Sequence, residues 1–428
     1  MFSRVLEQLF VFLVLLSSMN VITALTKPPR EQTELKVVSA DVNMSNVAIE
    51  GGVYIYGALL ALMRWRRVLR AARTVWPLLA LAALAFLSTA WSVQPIVTLR
   101  RSTSLLAGIM IAIYLGERYS IKAFARLLAY TLCFMTIVVV VLYCVAPAYV
   151  VDYSAYAGAW KGLSVYKNTF GQHMAVAVAL LVLVRFHRLC SLRYVFLLTA
   201  VGLLVLSRSA AALVCCVLSL AAMPLWRTMR GEQRLLVYPL ATLTFLVGIY
   251  CIVANPEPLF QILGRDATLT GRTHLWAILL PAIAKHPILG YGYSAFWIGL
   301  KGEALDVWVR VGWMAPIADN GYIDLCLSLG GLGVCAFLYV FVSSFRRAID
   351  YVRLDPGPIG LWPVTYLCLF AVNNLCESAL LTRATFPFLM FAVLTTSLAM
   401  NHRRVVTPAR TADNQLLMRE WTTPVISR

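Results

Sequence analysis

The residues in this chain that can do chemistry gather in 254–333, the one long stretch neither apolar enough to span a bilayer nor basic enough for an ordinary cytoplasmic loop. Within it Arg272 follows Gly271, and the apolar spacing of HLWAILLPAIAKH predicts an interfacial helix capped by Thr273 and ended by Pro287. Arg272 then stands at the helix start on the membrane surface, where a planar guanidinium takes two phosphate oxygens at once. A headgroup-anchoring arginine is the plainer account of the same spacing. A turn at Pro287, Gly290 and Gly292 follows, then Trp297 and Arg310, then Asp319 and Asn320 where the chain re-enters an apolar run. A carboxylate at that rim, near arginines and partly desolvated, can accept a proton from an attacking hydroxyl. Asp and Asn are also helix-capping types, and the two roles are compatible.

Earlier in the chain, Arg208 in VLSRSAAAL lies between two apolar runs joined by almost no loop. A charge at that depth is costly unless it lines a polar cavity or snorkels to the interface. Lys167 and Asn168, in GAWKGLSVYKNTFGQH, occupy a similar edge, with His173 further on; a lone histidine is more often a packed one. Trp160, Trp276, Trp297, Trp308 and Trp313 are able to stack on sugar rings, although an interfacial aromatic belt explains them as well. The sequence lacks the phosphate-loop, zinc-protease and nucleophile-elbow motifs and any D-x-D pair. ATP use, zinc hydrolysis, a serine nucleophile and a metal-held nucleotide sugar therefore lose support. A metal-free, cofactor-free reaction remains; if its donor carries a lipid diphosphate, arginines can supply the charge stabilisation of the leaving group.

The elements that must position these groups are membrane helices. With 61% hydrophobic and 13% charged residues, and a mean hydropathy of +0.78, the chain has about half the charge a soluble surface needs. The formal charge of +18 sits in short basic runs between apolar segments, which orients a bundle at an anionic membrane and makes nucleic acid an improbable partner. The 10 cysteines fall mostly in apolar runs with no paired spacing, so they read as packing residues.

The fold expected is all-α, a polytopic bundle of about twelve transmembrane helices with a long outer loop carrying short helices. Apolar runs occur at 2–25, 51–63, 75–91, 105–115, 127–146, 170–184, 194–206, 210–225, 235–253, 322–342, 361–376 and 384–400. The shorter ones must borrow flanking residues to cross about 30 Å. The first resembles a signal peptide but lacks a clear small-x-small site, and is kept as a span. Alternation from a cytoplasmic N-terminus puts the basic loops at 64–73, 118–126, 185–193, 227–234, 346–353 and 403–410 on one face, with 149–168, 207–209 and the loop 254–321 opposite. One integral membrane domain, 1–428, is expected, with a polar cytoplasmic tail at 402–428.

TLTGRTHLWAILLPAIAKHPILGYGYSAFW and ADNGYIDLCLSLGGLG, with the earlier GAWKGLSVYKNTFGQH and LSRSAAAL, resemble the bacterial O-antigen ligase and polymerase superfamily, especially its exopolysaccharide-polymerase branch. That resemblance implies an inner-membrane glycosyltransferase moving a glycan from undecaprenyl diphosphate to an acceptor glycan on the periplasmic face, without metal or nucleotide. It implies that Arg272 and Arg208 hold the diphosphate, that Lys167 and Asn168 are the family's Lys-Asn pair, and that Asp319 deprotonates or orients the acceptor hydroxyl. Asn320, Arg310 and Trp297 are the further substrate-binding candidates. The family usually has His-Asn where Asp319-Asn320 stands, and an aspartate, with a pKa of about 3.9, is the weaker base unless burial raises it. Membrane lipids, chain-length regulators and export proteins are the other partners implied. A ligase differs only in using lipid A core as acceptor. A flippase or carrier would bury acids at mid-membrane, which these runs almost lack, and a scaffold in an export complex would need none of the named charges.

Overall fold

The computed structural model describes residues 2–26, 44–153, 158–186, 190–228, 272–299, 302–383 and 385–402. The expected run at 235–253 and the tail after 402 lie outside them. Each of the other eleven runs falls on a helix. In chain order these are α1 Phe2–Ser18, α2 Val21–Thr26, α3 Met44–Met63, α4 Trp65–Thr74, α5 Trp76–Leu87, α6 Pro95–Arg118, α7 Ile121–Val145 and α8 Lys167–Leu183. There follow α9 Cys190–Leu206, α10 Ala210–Ala221, α11 Met223–Thr228, α12 Arg272–Lys285, α13 Glu303–Val311, α14 Gly321–Leu354, α15 Trp362–Asn373 and α16 Phe386–His402. A two-residue antiparallel pair, β1 Val151–Asp152 with β2 Ala159–Trp160, precedes α8.

The protein is a polytopic membrane helix bundle. Among the described residues α6, α7, the α10–α11 stretch and α14 are long and apolar enough to cross a membrane, and α4 with α5, bent by 88°, makes a fifth if counted as one span. The apolar run 105–115 does borrow from its flanks: α6 begins at Pro95, whose fixed φ suits the first turn, and takes Arg100 and Arg101 into the helix. Other apolar helices of 10–17 residues, α15 and α16 among them, are shorter than a straight crossing at 1.5 Å per residue.

Ion pairs gather the basic segments at one end. Arg118 pairs with Glu7 at 2.6 Å and Lys122 with Asp355 at 3.0 Å, joining the N-terminal helix, the α6–α7 turn and the end of α14. At the opposite end of α14 lie Asp319, its partner Arg272, and the segment 374–379 with Asn168 bonded to it.

α14 is broken. Gly330 has φ 62° and ψ −162°, so the helix loses its regular ladder there, and the segment 287–292 fills the gap. Tyr291 and Gly292 N–H donate to the carbonyls of Leu327 (2.8 Å) and Ser328 (3.1 Å). In return Gly331 and Leu332 N–H donate to those of Pro287 (2.8 Å) and Ile288 (3.2 Å). A β-carbon on Gly330 would stand 2.3 Å from the Ile288 carbonyl, so only glycine permits this approach. The inserted segment and the residues after it are held by the α5–α6 turn and by α6: Trp91 Nε1 donates to the Leu289 carbonyl, and Arg101 Nη1 to that of Ser294 at 2.6 Å. The Pro287/Gly290/Gly292 signature is therefore a docking element. Beside it Leu275, Leu279, Phe296, Trp297, Val307 and Trp308 form an apolar cluster separate from the main core, which makes 272–299 and 302–318 a packed cap.

The Gly330→Ala variant should lose on the order of 3 kcal/mol, from left-handed strain and lost backbone bonds. Gly108→Ala, at a helical site with nothing within 4 Å, should be neutral or slightly stabilising. Thermal unfolding of both in detergent checks the pair.

Candidate functional site

α12 starts at Arg272, one residue before the expected cap, so Thr273 lies in the first turn instead of capping it. The helix ends at Lys285 and Pro287 lies beyond it. The chain then returns to α14, whose N-cap is Asn320: its Oδ1 accepts from Tyr322 N–H (3.0 Å) and Ile323 N–H (3.2 Å). The capping role thus falls to Asn320, and Asp319 is left for another. Asp319 sits at φ 51°, a left-handed position Asp tolerates better than most residues.

Arg272 is shared between two carboxylates. Its Nε donates to Asp319 Oδ2 at 3.1 Å, Nη2 to Glu377 Oε1 at 3.3 Å, and Nη1 to the Cys376 carbonyl at 2.7 Å. Asn168 Nδ2 donates to the same Glu377 Oε1 at 2.7 Å. Residues from the starts of α8 and α12, the entry to α14 and the α15–α16 connection therefore meet at one point. The connection is held against α14 by Gly321 N–H, which donates to the carbonyls of Asn374 (2.8 Å) and Glu377 (3.0 Å). Asn320 Nδ2 adds a bond to the Leu375 carbonyl.

Side chains here are largely but not wholly covered: Arg272 is 14% exposed, Asp319 24% and Glu377 12%. Burial raises the Asp319 carboxyl above its ordinary value, with Arg272 opposing the rise. Burial, then the neighbouring Asp319 charge, pushes Glu377 up to about 7 against Arg272 and Asn168. The raised Asp319 answers in direction the weakness expected of an aspartate base.

Glu377 escaped the reading of the sequence. Its signal was present: in 361–400 the only charged residues are Glu377 and Arg383. Asp324 was missed too. It accepts from Trp297 Nε1 (2.7 Å), Ala318 N–H (3.0 Å) and Ser378 Oγ, tying the cap to α14 and to the residue after Glu377.

The remaining candidates are placed as follows. Lys167 is buried as the first residue of α8. Arg208 is exposed, at φ 50° in the turn between α9 and α10, and its guanidinium lies 3.7 Å from where a β-carbon on Gly158 would stand. Its neighbours Ser207 and Ser209 crowd Gly171, one turn along α8 from Asn168, so Arg208 belongs to the same end of the bundle as Arg272. Trp297 is buried, its ring 4.9 Å from Phe296 and its N–H spent on Asp324, so it braces the cap. Arg310 stands apart, exposed on α13 and paired with Asp306 at 3.0 Å. His173 is buried edge-on to Phe386, as a packed histidine is expected to be.

Residues 194–338 match the O-antigen ligase family. A further similarity is to the exopolysaccharide production protein ExoQ of Rhizobium meliloti (strain 1021), 32% identical over 108 residues, which is 24% of this chain and 25% of that protein. The match thus spans about a quarter of the length of the curated relative. Both findings support the resemblance to the O-antigen ligase/polymerase superfamily. The matched stretch includes Arg208, Arg272, Asp319 and Asn320; Asn168 and Glu377 lie outside it and reach the centre only through the fold.

Replacing Arg272 with Ala strands two partly buried carboxylates, and should cost about 3–5 kcal/mol at pH 8. The folded value of Glu377 lies above its unfolded one, so its proton adds stability that is complete below about 4.5 and gone as pH rises through about 7. The loss in Arg272→Ala should accordingly be smaller at pH 6 than at pH 8, and smaller again in Arg272→Ala/Glu377→Gln, as read by thermal unfolding.

Proposed function

We propose that this chain is a metal-independent membrane glycosyltransferase that polymerises undecaprenyl-diphosphate-linked exopolysaccharide repeat units at the periplasmic face of a bacterial inner membrane. The observation that carries the reading is the convergence of Arg272, Asp319 and Asn168, far apart in sequence, at one end of a membrane bundle inside and beside an O-antigen ligase segment. An anionic lipid headgroup and a sugar hydroxyl both need such a place, a partly desolvated rim with a fixed cation and a carboxylate acceptor.

In this reading Arg208 and Arg272 receive the diphosphate of the donor, and Asp319 orients the acceptor hydroxyl for attack on the anomeric carbon. With both carboxylates ionised, the Arg272 cluster carries a formal charge of −1, so the cation of Arg208 supplies the attraction for the incoming lipid. Lys167 and Asn168 shape the donor side, Asn168 through Glu377. The acceptor separates the two members of the class. The ExoQ similarity favours another repeat unit, which makes a polymerase; the family's description favours lipid A core, which makes a ligase.

Purified protein supplied with lipid-linked oligosaccharide extracted from cells lacking this chain should yield a ladder of products by mass spectrometry. A single addition, dependent on lipid A core, would mean ligation. Arg272→Ala and Arg208→Ala should each reduce product at least about a hundredfold, as loss of a charge stabiliser does; unchanged elongation in either would refute its assignment.

A further inference from the structure

Glu377 lies outside the matched stretch, yet its carboxylate meets the same guanidinium as Asp319. We infer that Glu377, with Asp319 remaining ionised beside it, takes the proton of the acceptor hydroxyl; this rests on the transferase reading above.

The bonding distinguishes the two carboxylates. Asp319 is met by the guanidinium Nε at 3.1 Å, and its left-handed backbone fixes the approach. Glu377 receives both of its side-chain hydrogen bonds on one oxygen, Oε1, from Asn168 and Arg272. Oε2 has no partner among the described residues and is not a sealed orphan either, since every buried side-chain oxygen without a partner lies elsewhere. An oxygen held in place by its twin, with its own lone pairs open, is what a proton acceptor requires. The charged and titratable groups facing Glu377 are Arg272 from α12, Asp319 at the entry to α14, its neighbour Cys376 and Cys215 from α10, with the neutral Asn168 from α8. One cation and one carboxylate thus bracket it, which suits a group that changes charge once per turnover.

The step balances without another reactant. The acceptor oxygen forms its bond to the anomeric carbon of the donor glycan. The bond from that carbon to the diphosphate oxygen breaks, and its electron pair leaves on the lipid diphosphate. The acceptor proton ends on Glu377 Oε2. Taking that proton removes one of the two negative charges that occupy Arg272, so the guanidinium is freed toward the leaving group as negative charge grows there. Proton uptake and leaving-group stabilisation are thereby coupled through one arginine.

The test is the pH profile of turnover in full-length protein, with the extracted lipid-linked oligosaccharide as substrate. Wild type should lose turnover by about tenfold per pH unit on the acid side of about 7. Glu377→Gln should lower kcat by about a hundredfold or more, with little change in KM, and its residual turnover should lack that limb. Asp319→Asn should keep an acid limb but move it to lower pH, since a like charge beside Glu377 has gone. A Glu377→Gln profile with the wild-type limb, or a limb abolished by Asp319→Asn and kept by Glu377→Gln, overturns the assignment and leaves the transferase reading standing. No product from wild type at any pH overturns that reading, and the proton acceptor with it.

Discussion

Everything at the candidate site depends on the exchange of backbone hydrogen bonds at the break in α14. A helix interrupted near the membrane leaves N–H and C=O groups that lipid cannot satisfy, so such a break survives only where other protein backbone answers it. Here 287–292 answers it from both sides of Gly330. Because that segment continues directly from α12, the exchange fixes α12 against α14 and sets Arg272 beside Asp319. Trp297 and Asp324 then bind the far end of the cap to the same helix.

The electrostatics follow from that placement. A guanidinium with two carboxylates, all mostly covered, is unfavourable to assemble from water unless each charge has fixed partners. Arg272 has three acceptors, Glu377 has Asn168 as well, and the Cys376 carbonyl completes the fork. Burial, and after it the neighbouring Asp319 charge, raises Glu377 to about 7, within reach of a proton-transfer role at neutral pH. The Asp319 charge is taken up by the arginine. A second acid in the cluster keeps one group close to its titration point.

The helical architecture was legible because apolar runs report burial in lipid or protein whatever their neighbours do. Eleven such runs fall on helices, and Lys122 of the basic loop at 118–126 pairs with Asp355, just past the one at 346–353. Arg272 at a helix start and a cap at 319–320 were also legible, since capping chemistry is local. Glu377 was not. It is a single acid after an apolar run, and nothing within reach along the chain distinguishes a helix-end carboxylate from the partner of an arginine 105 positions away. Trp297 and Arg310 show the converse: suitable residue types in the right loop, one turned into the cap's own core and the other into an i,i+4 pair.

By itself, then, the sequence determined the class of solvent the chain folds in and the segments that become helices. These are sums over many residues, each acting through its own hydrophobicity or charge. Only the tertiary structure decided that Arg272 is flanked by Asp319 and Glu377, that Asn168 belongs to the same cluster, and that the glycines of 290–292 and 330 serve a single joint. Those contacts depend on distances between segments remote in the chain, and such distances are set when backbone groups freed by one broken helix are satisfied by another part of the molecule.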